Sequence, residues 1–323
     1  MFPTFPLMLS HSRHAALTES LARRGRPAAS SRHFAVYPLD PPAESAASAE
    51  TVVVHRFAPS QIDNNLGYYV VSELLPLLAA RLGAGDAADE RFAYTEQEVF
   101  EHCVGAIVRS IDANERRAWH RFYANTLAAL ERAIADPAQP ADFIGPFGVI
   151  YDRVAQLACG RTLLDAGTCF GFLPLLLPRR SRGHDGAHAD AERPPQIVGC
   201  DQEAALIGFA RAYAAHQGID HVRFVVADIL ADDIERLGVF DTVTAIHLLE
   251  HLDPRQTRRA IANLWRLTGK RLIINVPLEE TPDPRFGHRQ VFDQERLIAL
   301  GQELGGPFQY FELHGGWLVV DKL

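Results

Sequence analysis

The run Leu163-Leu164-Asp165-Ala166-Gly167-Thr168-Cys169-Phe170-Gly171-Phe172-Leu173-Pro174 constrains the fold more than any other stretch of the chain. Residues 162–164 fit a short buried strand that stops at an acid; a tight turn with glycines at Gly167 and Gly171 then leads into a helix. A helix start presents unpaired N–H groups to a ligand, and a glycine lets the backbone approach that ligand without a Cβ in the way. The G-x-G-x-x-G fingerprint of dinucleotide sites fits poorly, because its first two glycines are not both present and an acid stands at the strand end. A carboxylate there repels a pyrophosphate and suits a cationic ligand.

The rest of the chain falls into order around this turn. Strands are expected at 162–164, 196–200, 222–226, 240–247 and 271–276, with helical runs between them. Such alternation gives an α/β, Rossmann-like, mostly parallel sheet covered by helices, with ligands at the carboxyl ends of its strands. The tail, 310–313 and 317–321 about Gly315-Gly316, reads as a hairpin that makes the last strand antiparallel. Residues 1–50, rich in Pro, Ala, Ser and Arg, read as a flexible arm. Residues 51–146 read as mainly helical after a β-branched strand at 51–57. The first helix runs from Ser60 to 82, weakened by Gly67 and Pro76. The capping box Thr95-Glu96-Gln97-Glu98 opens a second, and a third after Asp112 carries Trp119, Phe122, Leu127 and Leu130. Prolines between 137 and 146 mark a boundary, which makes 147–323 the ligand-binding domain and 51–146 a substrate-recognition region. Residues 178–195 are polar, glycine-containing and aperiodic, and read as a mobile insertion rather than a metal site.

Composition removes several classes of function. The 323 residues contain no apolar run of about 18 or more, so no membrane span is expected. A net charge of −8 offers no basic footprint for nucleic acid. Cys103, Cys159, Cys169 and Cys200 lie far apart, which suggests neither a zinc knuckle nor a disulfide framework and fits reduced thiols in a cytoplasmic protein. The N-terminus lacks the basic segment of a secretory signal.

Asp165-x-Gly167-x-x-x-Gly171 resembles the first motif of the class I S-adenosylmethionine-dependent methyltransferases, departing from it at Cys169, where that family commonly has another glycine. The resemblance extends over about 147–323 and implies S-adenosylmethionine as cofactor. It assigns Asp165, Gly167, Thr168 and Gly171 to the glycine turn, Asp201 and its neighbour Gln202 to the ribose hydroxyls, and Asp228 with Ile229 to the adenine, with His247 completing the set. Each acid taken singly reads more readily as a turn or helix cap, but three acids at three successive strand ends do not.

Phe240-Asp241-Thr242-Val243-Thr244-Ala245-Ile246-His247-Leu248-Leu249-Glu250-His251-Leu252-Asp253-Pro254 resembles the fourth-strand motif of small-molecule and RNA O-methyltransferases. Asp241 takes a structural part at the strand start, and His247, Glu250 and His251 emerge at its carboxyl end. A hydroxyl is a weak nucleophile until its proton is taken, and an imidazole base contributes roughly 10²- to 10⁴-fold. His251 is the first candidate base and His247 the second; a wall of the cofactor site is the alternative for both. His247-x-x-Glu250-His251 also has the spacing of a divalent-metal half-site, and related families with E-x-x-E-H hold a metal on this turn. His288 would complete a set of His247, Glu250, His251 and His288, whose imidazoles favour a borderline metal over magnesium. His288 and Arg289 follow the fifth strand and are candidate substrate contacts, as are Tyr68 and Tyr69; Trp119 and Tyr123 stack on a sugar ring or fill a helix core.

These motifs imply an O-methyltransferase for a small-molecule or oligosaccharide acceptor. The arrangement of the whole chain, with Gln61-Ile62-Asp63-Asn64-Asn65-Leu66-Gly67-Tyr68-Tyr69, looks like the mycofactocin oligosaccharide methyltransferases, which implies a glucose hydroxyl as acceptor. The alternatives are a quinone, polyketide or RNA 3′ hydroxyl, with the acidic charge against RNA, and a non-catalytic cofactor-binding scaffold. A nicotinamide dehydrogenase is opposed by the chemistry of the glycine turn.

Overall fold

A computed structural model describes residues 7–10, 26–39, 50–82, 96–136, 143–180 and 196–323. The chain divides into two units, Met1–Ala129 with Pro140–Ile144, and Leu130–Gln139 with Gly145–Leu323.

In the first unit, β1 (Leu7–Ser10), β2 (Ala29–Ser30), β3 (Phe34–Leu39) and β4 (Glu50–His55) form a four-stranded sheet in the order β1-β4-β3-β2. The β-branched run Val52-Val53-Val54 is buried in β4, which pairs with β1 in parallel and with β3 in antiparallel register. The arm expected over 1–50 is thereby corrected at 34–39, where Phe34 and Val36 are fully buried. A strand of six residues that includes Pro38 has too weak a period to stand out from Pro/Ala/Ser-rich surroundings. Helix α1 (Leu66–Tyr69) continues through a π-helical turn (Val70–Leu74) into α2 (Leu75–Leu82). Pro76 has no N–H, and its ring crowds the carbonyl four residues back, so a wider turn just ahead of it relieves the clash. Helix α3 (Glu96–Arg109) follows, and then α4 (Glu115–Ala135), which belongs to this unit as far as Ala129. Trp119, Phe122, Tyr123 and Leu127 on α4 are buried, the helix-core alternative for the two aromatic residues weighed as sugar platforms. Thr95, the prolines at 137 and 140, and 181–195 of the expected insertion lie outside the described residues; 178–180 close a helix instead.

The second unit contains α5 (Ile144–Leu157), β5 (Thr162–Ala166), α6 (Phe172–Arg180), β6 (Gln196–Asp201), α7 (Ala204–His216), β7 (Val222–Val226), β8 (Phe240–Ile246), α8 (Pro254–Leu267), β9 (Thr268–Val276), α9 (Gln294–Leu304), β10 (Phe308–Glu312) and β11 (Gly316–Asp321). Its seven strands run in the order β10-β11-β9-β8-β5-β6-β7, all parallel except β11, which is antiparallel to both β9 and β10. This is the Rossmann-like sheet with an antiparallel edge expected from the alternation. Central strands are apolar on both faces because helices cover both: Leu164, Val243, Leu272 and Ile274 are fully buried. Asp241 pins the entry to β5 by accepting from the N–H groups of Arg161 (2.6 Å) and Thr162 (3.2 Å) and pairing with Lys270 (2.9 Å). Strand β5 runs two residues further than expected, since Asp165 and Ala166 pair with β6 and β8. Since β5 lies between β6 and β8, the connections that leave β5 and β8 diverge, opening a crevice at their carboxyl ends.

Candidate active site

Three loops of the second unit converge on this crevice. The loop after β5 holds Gly167 at φ 69° and Gly171 at φ 73°, both in the left-handed region that disfavours a side chain. A Cβ on Gly167 would come within 2.6 Å of Leu248, and one on Gly171 would collide with the Phe224 ring. The turn is drawn in by Thr168 N–H donating to the Cys200 carbonyl (2.9 Å) and Gly171 N–H to the Thr168 carbonyl (2.8 Å). Cys169, at the family's usual glycine position, takes φ 51°, and its N–H donates to Asp201 Oδ2 at 2.8 Å. That bond holds a non-glycine residue in a conformation costing about 1–2 kcal/mol.

Asp165 is buried beneath this turn and accepts from the Thr168 hydroxyl (2.6 Å) and, across β5 and β8, from the Thr244 hydroxyl (2.7 Å). Burial pushes its carboxyl up to about 6 against the pull of these two donors, with Asp201 adding a smaller push. Asp201 ends β6; its Oδ1 accepts from the Glu203 N–H at 3.0 Å, so it caps both the glycine turn and its own loop while each oxygen keeps a further acceptor position. Gln202 beside it is exposed. Asp228 lies two residues beyond β7, exposed, with Oδ1 accepting from the Leu230 N–H at 2.8 Å, and Ile229 packs into the core.

The third loop begins at His247, which follows β8 at φ 49° with its N–H donating to the Asn275 carbonyl (2.9 Å). Its Nδ1 lies 3.3 Å from Glu250 Oε1, its ring packs 5.1 Å from Phe147, and its Nε2 is buried without a hydrogen-bond partner. Glu250 is 1% exposed, and neither carboxylate oxygen has a hydrogen bond of acceptable geometry. Burial presses its carboxyl upward, and His247 and His251 more than offset this, leaving it below the usual range. His251 is lowered, chiefly by burial, with Glu250 pulling it up and His288 pushing it down. Its ring meets His288 edge-on at 5.0 Å, and His288 Nδ1 is hydrogen-bonded to Glu279 at 2.8 Å.

The structure thus brings Glu250, His251 and His288 together, with ligand atoms all within 4.8 Å of one another; His247 touches Glu250 but is not part of that cluster. Arg289 is exposed, and its guanidinium donates to Gln256 Oε1 near the start of α8 at 3.1 Å. Tyr68 is 52% exposed in the first unit, and Tyr69 packs beside His33 and Phe57. Sequence reasoning missed Thr244, Phe147, Glu279 and Gln290. Gln290 is buried and anchors the 249–252 turn through the Leu249 and Leu252 carbonyls. A carboxylate nine residues before a histidine carries no periodic signal, so Glu279 was legible only after folding.

The chain is similar to several known proteins. A family model described as a methyltransferase domain matches residues 181–270. A curated relative, the ubiquinone biosynthesis O-methyltransferase of Xanthomonas euvesicatoria pv. vesicatoria (strain 85-10), is 28% identical over 158 residues. The match covers 47% of this chain, which spans 59% of that protein's length. Among solved structures, an O-methyltransferase family protein from Burkholderia thailandensis is similar over 80% of this chain and 93% of its own, at 14% identity and a TM-score of 0.45. Magnesium protoporphyrin IX methyltransferase from Synechocystis PCC 6803, with SAH bound, is similar over 60% and 92%, at 16% identity and a TM-score of 0.41. The second unit has a Rossmann-like, mostly parallel sheet, and its segment within 181–270 matches a methyltransferase domain.

Proposed function

We propose that the protein transfers a methyl group from S-adenosylmethionine to a hydroxyl oxygen of a small-molecule or oligosaccharide acceptor. The observation that carries this reading is the facing of two loops across the switch point: a glycine turn over a buried carboxylate, and a turn bearing His247, Glu250 and His251. The donor fits the first, because Gly167 and Gly171 let the turn pack tightly on Leu248 and Phe224 at the carboxyl end of β5, and the groups around it, Asp165 and Asp201, are acidic rather than basic. When bound, S-adenosylmethionine supplies an electrophilic methyl on a sulfonium. Asp165 sets a negative potential under the turn; Asp201, with Gln202, receives the ribose hydroxyls; and Asp228 and Ile229 hold the adenine edge and face. Gly167, Thr168 and Gly171 shape the wall.

On the acceptor side, a hydroxyl gains nucleophilicity as it loses its proton, and in this reading His247 takes it through Nε2, which is buried and has no hydrogen-bond partner. His251 is the other candidate base, though its ring is already packed against His288. Positioning alone adds an effective molarity on the order of 10⁵ M or more.

For the acceptor we favour a sugar hydroxyl, specifically a glucose of the mycofactocin oligosaccharide. The support is the resemblance of the chain's arrangement and of residues 61–69, together with the outward ring of Tyr68, which suits stacking on a sugar. His288 lines the acceptor side in this reading. A second reading, a quinol or other phenolic hydroxyl, is favoured by the ubiquinone relative. Incubation of the chain and S-adenosylmethionine with a panel of glucosides and glucan oligosaccharides, and in parallel with catechols and hydroxyquinols, separates them by which arm yields S-adenosylhomocysteine. Turnover in the sugar arm supports the first reading and turnover confined to the phenolic arm supports the second. Turnover in neither arm, with cofactor binding intact, counts against both.

A further inference from the structure

We propose that Glu250, His251 and His288 form a binding site for one divalent first-row transition cation, with Glu279 as the positioning carboxylate for His288. Four observations converge on it. First, one ligand atom from each of the three residues lies within 4.8 Å of the other two, near enough for a single ion to gather them with a small closing movement. Second, Glu250 is almost wholly buried with both oxygens lacking an accepted hydrogen bond. A buried carboxylate without donors is costly, and a cation removes that cost. His247 at 3.3 Å does not: its approach satisfies neither oxygen, and its own Nε2 is also unpartnered.

Third, the Glu279 carboxylate holds His288 through Nδ1 at 2.8 Å and leaves Nε2 as its coordinating atom. A carboxylate behind a histidine is the usual arrangement behind a metal-binding imidazole, because it fixes the ring and raises its basicity. The edge-on meeting of His251 and His288, 79° between planes, lets two ring nitrogens face one point, as parallel stacking would not. Fourth, the two segments that supply the ligands are tied together. Arg289 N–H donates to the Glu250 carbonyl at 2.8 Å, and Gln290 binds the Leu249 and Leu252 carbonyls. The ligands therefore need little reorganisation to accept an ion.

Two imidazoles and one carboxylate favour zinc, cobalt, iron or manganese over magnesium and calcium, which prefer oxygen. Three protein ligands leave positions for oxygen atoms of an acceptor, and a bound cation lowers the pKa of a hydroxyl it holds. That last use rests on the hydroxyl-methylating reading above; the site itself does not.

The test is titration of untagged, chelator-stripped protein with Co²⁺, followed by its visible absorption, and with Zn²⁺ by calorimetry, with Mg²⁺ as the control. The expected result is one site that binds Co²⁺ and Zn²⁺ far more tightly than Mg²⁺. His288→Ala and Glu250→Gln should lose the site, and Glu279→Gln should weaken it about 10- to 100-fold. His288 lies in the loop after β9 rather than in a strand or helix, so His288→Ala disturbs no regular element, and circular dichroism checks each protein. Absence of stoichiometric Co²⁺ or Zn²⁺ binding by the folded wild type overturns the proposal, as does unchanged binding in His288→Ala. Titration of the same samples with S-adenosylhomocysteine keeps the two readings apart. Cofactor binding without metal overturns this site alone, and metal binding without cofactor leaves it standing and overturns methyl transfer.

Discussion

Asp165 concentrates the conflict between stability and function in one side chain. A carboxyl pushed up to about 6 by burial is held by only two hydroxyl donors, so at neutral pH its charge costs folding free energy. The sign follows from linkage: with the native value above the unfolded one, near 4, the native state binds the extra proton between them, and stability falls as pH rises from about 4 to about 6. Asp165→Asn removes this dependence. Denaturant unfolding of both proteins across that window should show the wild type losing on the order of 2 kcal/mol relative to the variant. A pH-independent difference would contradict the assignment. The same substitution should weaken cofactor binding, since it removes the negative potential under the turn. The acid itself was legible in the sequence from its place at the end of an apolar strand. Its partner Thr244 was not, because the pairing of Asp165 with Thr244 is a register fact of β5 and β8, lying 79 residues apart.

At the scale of elements, the glycine turn and the entry to β5 are the segments that hold the crevice in shape. Gly171→Ala places a side chain at φ 73° against the Phe224 ring, and both effects act together. The expected loss is about 1–3 kcal/mol of stability, with cofactor affinity reduced at least about tenfold; unchanged melting and binding would show that the turn has room to give. Asp241→Ala releases the two N–H groups and the Lys270 ammonium gathered at the start of β5. Its partly exposed position limits the expected cost to about 1–2 kcal/mol, read as a lowered denaturation midpoint. Its carboxyl is lowered to about 2, first by the Arg161 N–H and then by Lys270, so this contribution is present above the ordinary carboxylate range and fades as pH falls toward 2. Strands with continuous apolar or β-branched runs, such as β8 and the end of β9, were legible in the sequence. Strands of the first unit were less so: β2 has two residues and β3 contains a proline, and what defines them is pairing with β4 rather than any period of their own.

At the scale of the whole molecule, the seven-stranded order places the ends of β5, β6 and β8 around one crevice, and each carries an acid or an imidazole. Alternation alone predicted a parallel sheet, and the order of strands then explains why residues as distant as Gly167, Asp201 and His247 belong to one site. Asp201 is the residue on which the cofactor reading depends most, since it ends β6 and already fixes the glycine turn through Cys169. The most direct measurement is calorimetric titration of S-adenosylhomocysteine into the wild type and into Asp201→Ala. The expected result is one-to-one binding by the wild type, weakened at least about tenfold in the variant, a loss of about 1.4 kcal/mol or more. No heat of binding with folded wild-type protein, or equal affinity in the two, would contradict the account.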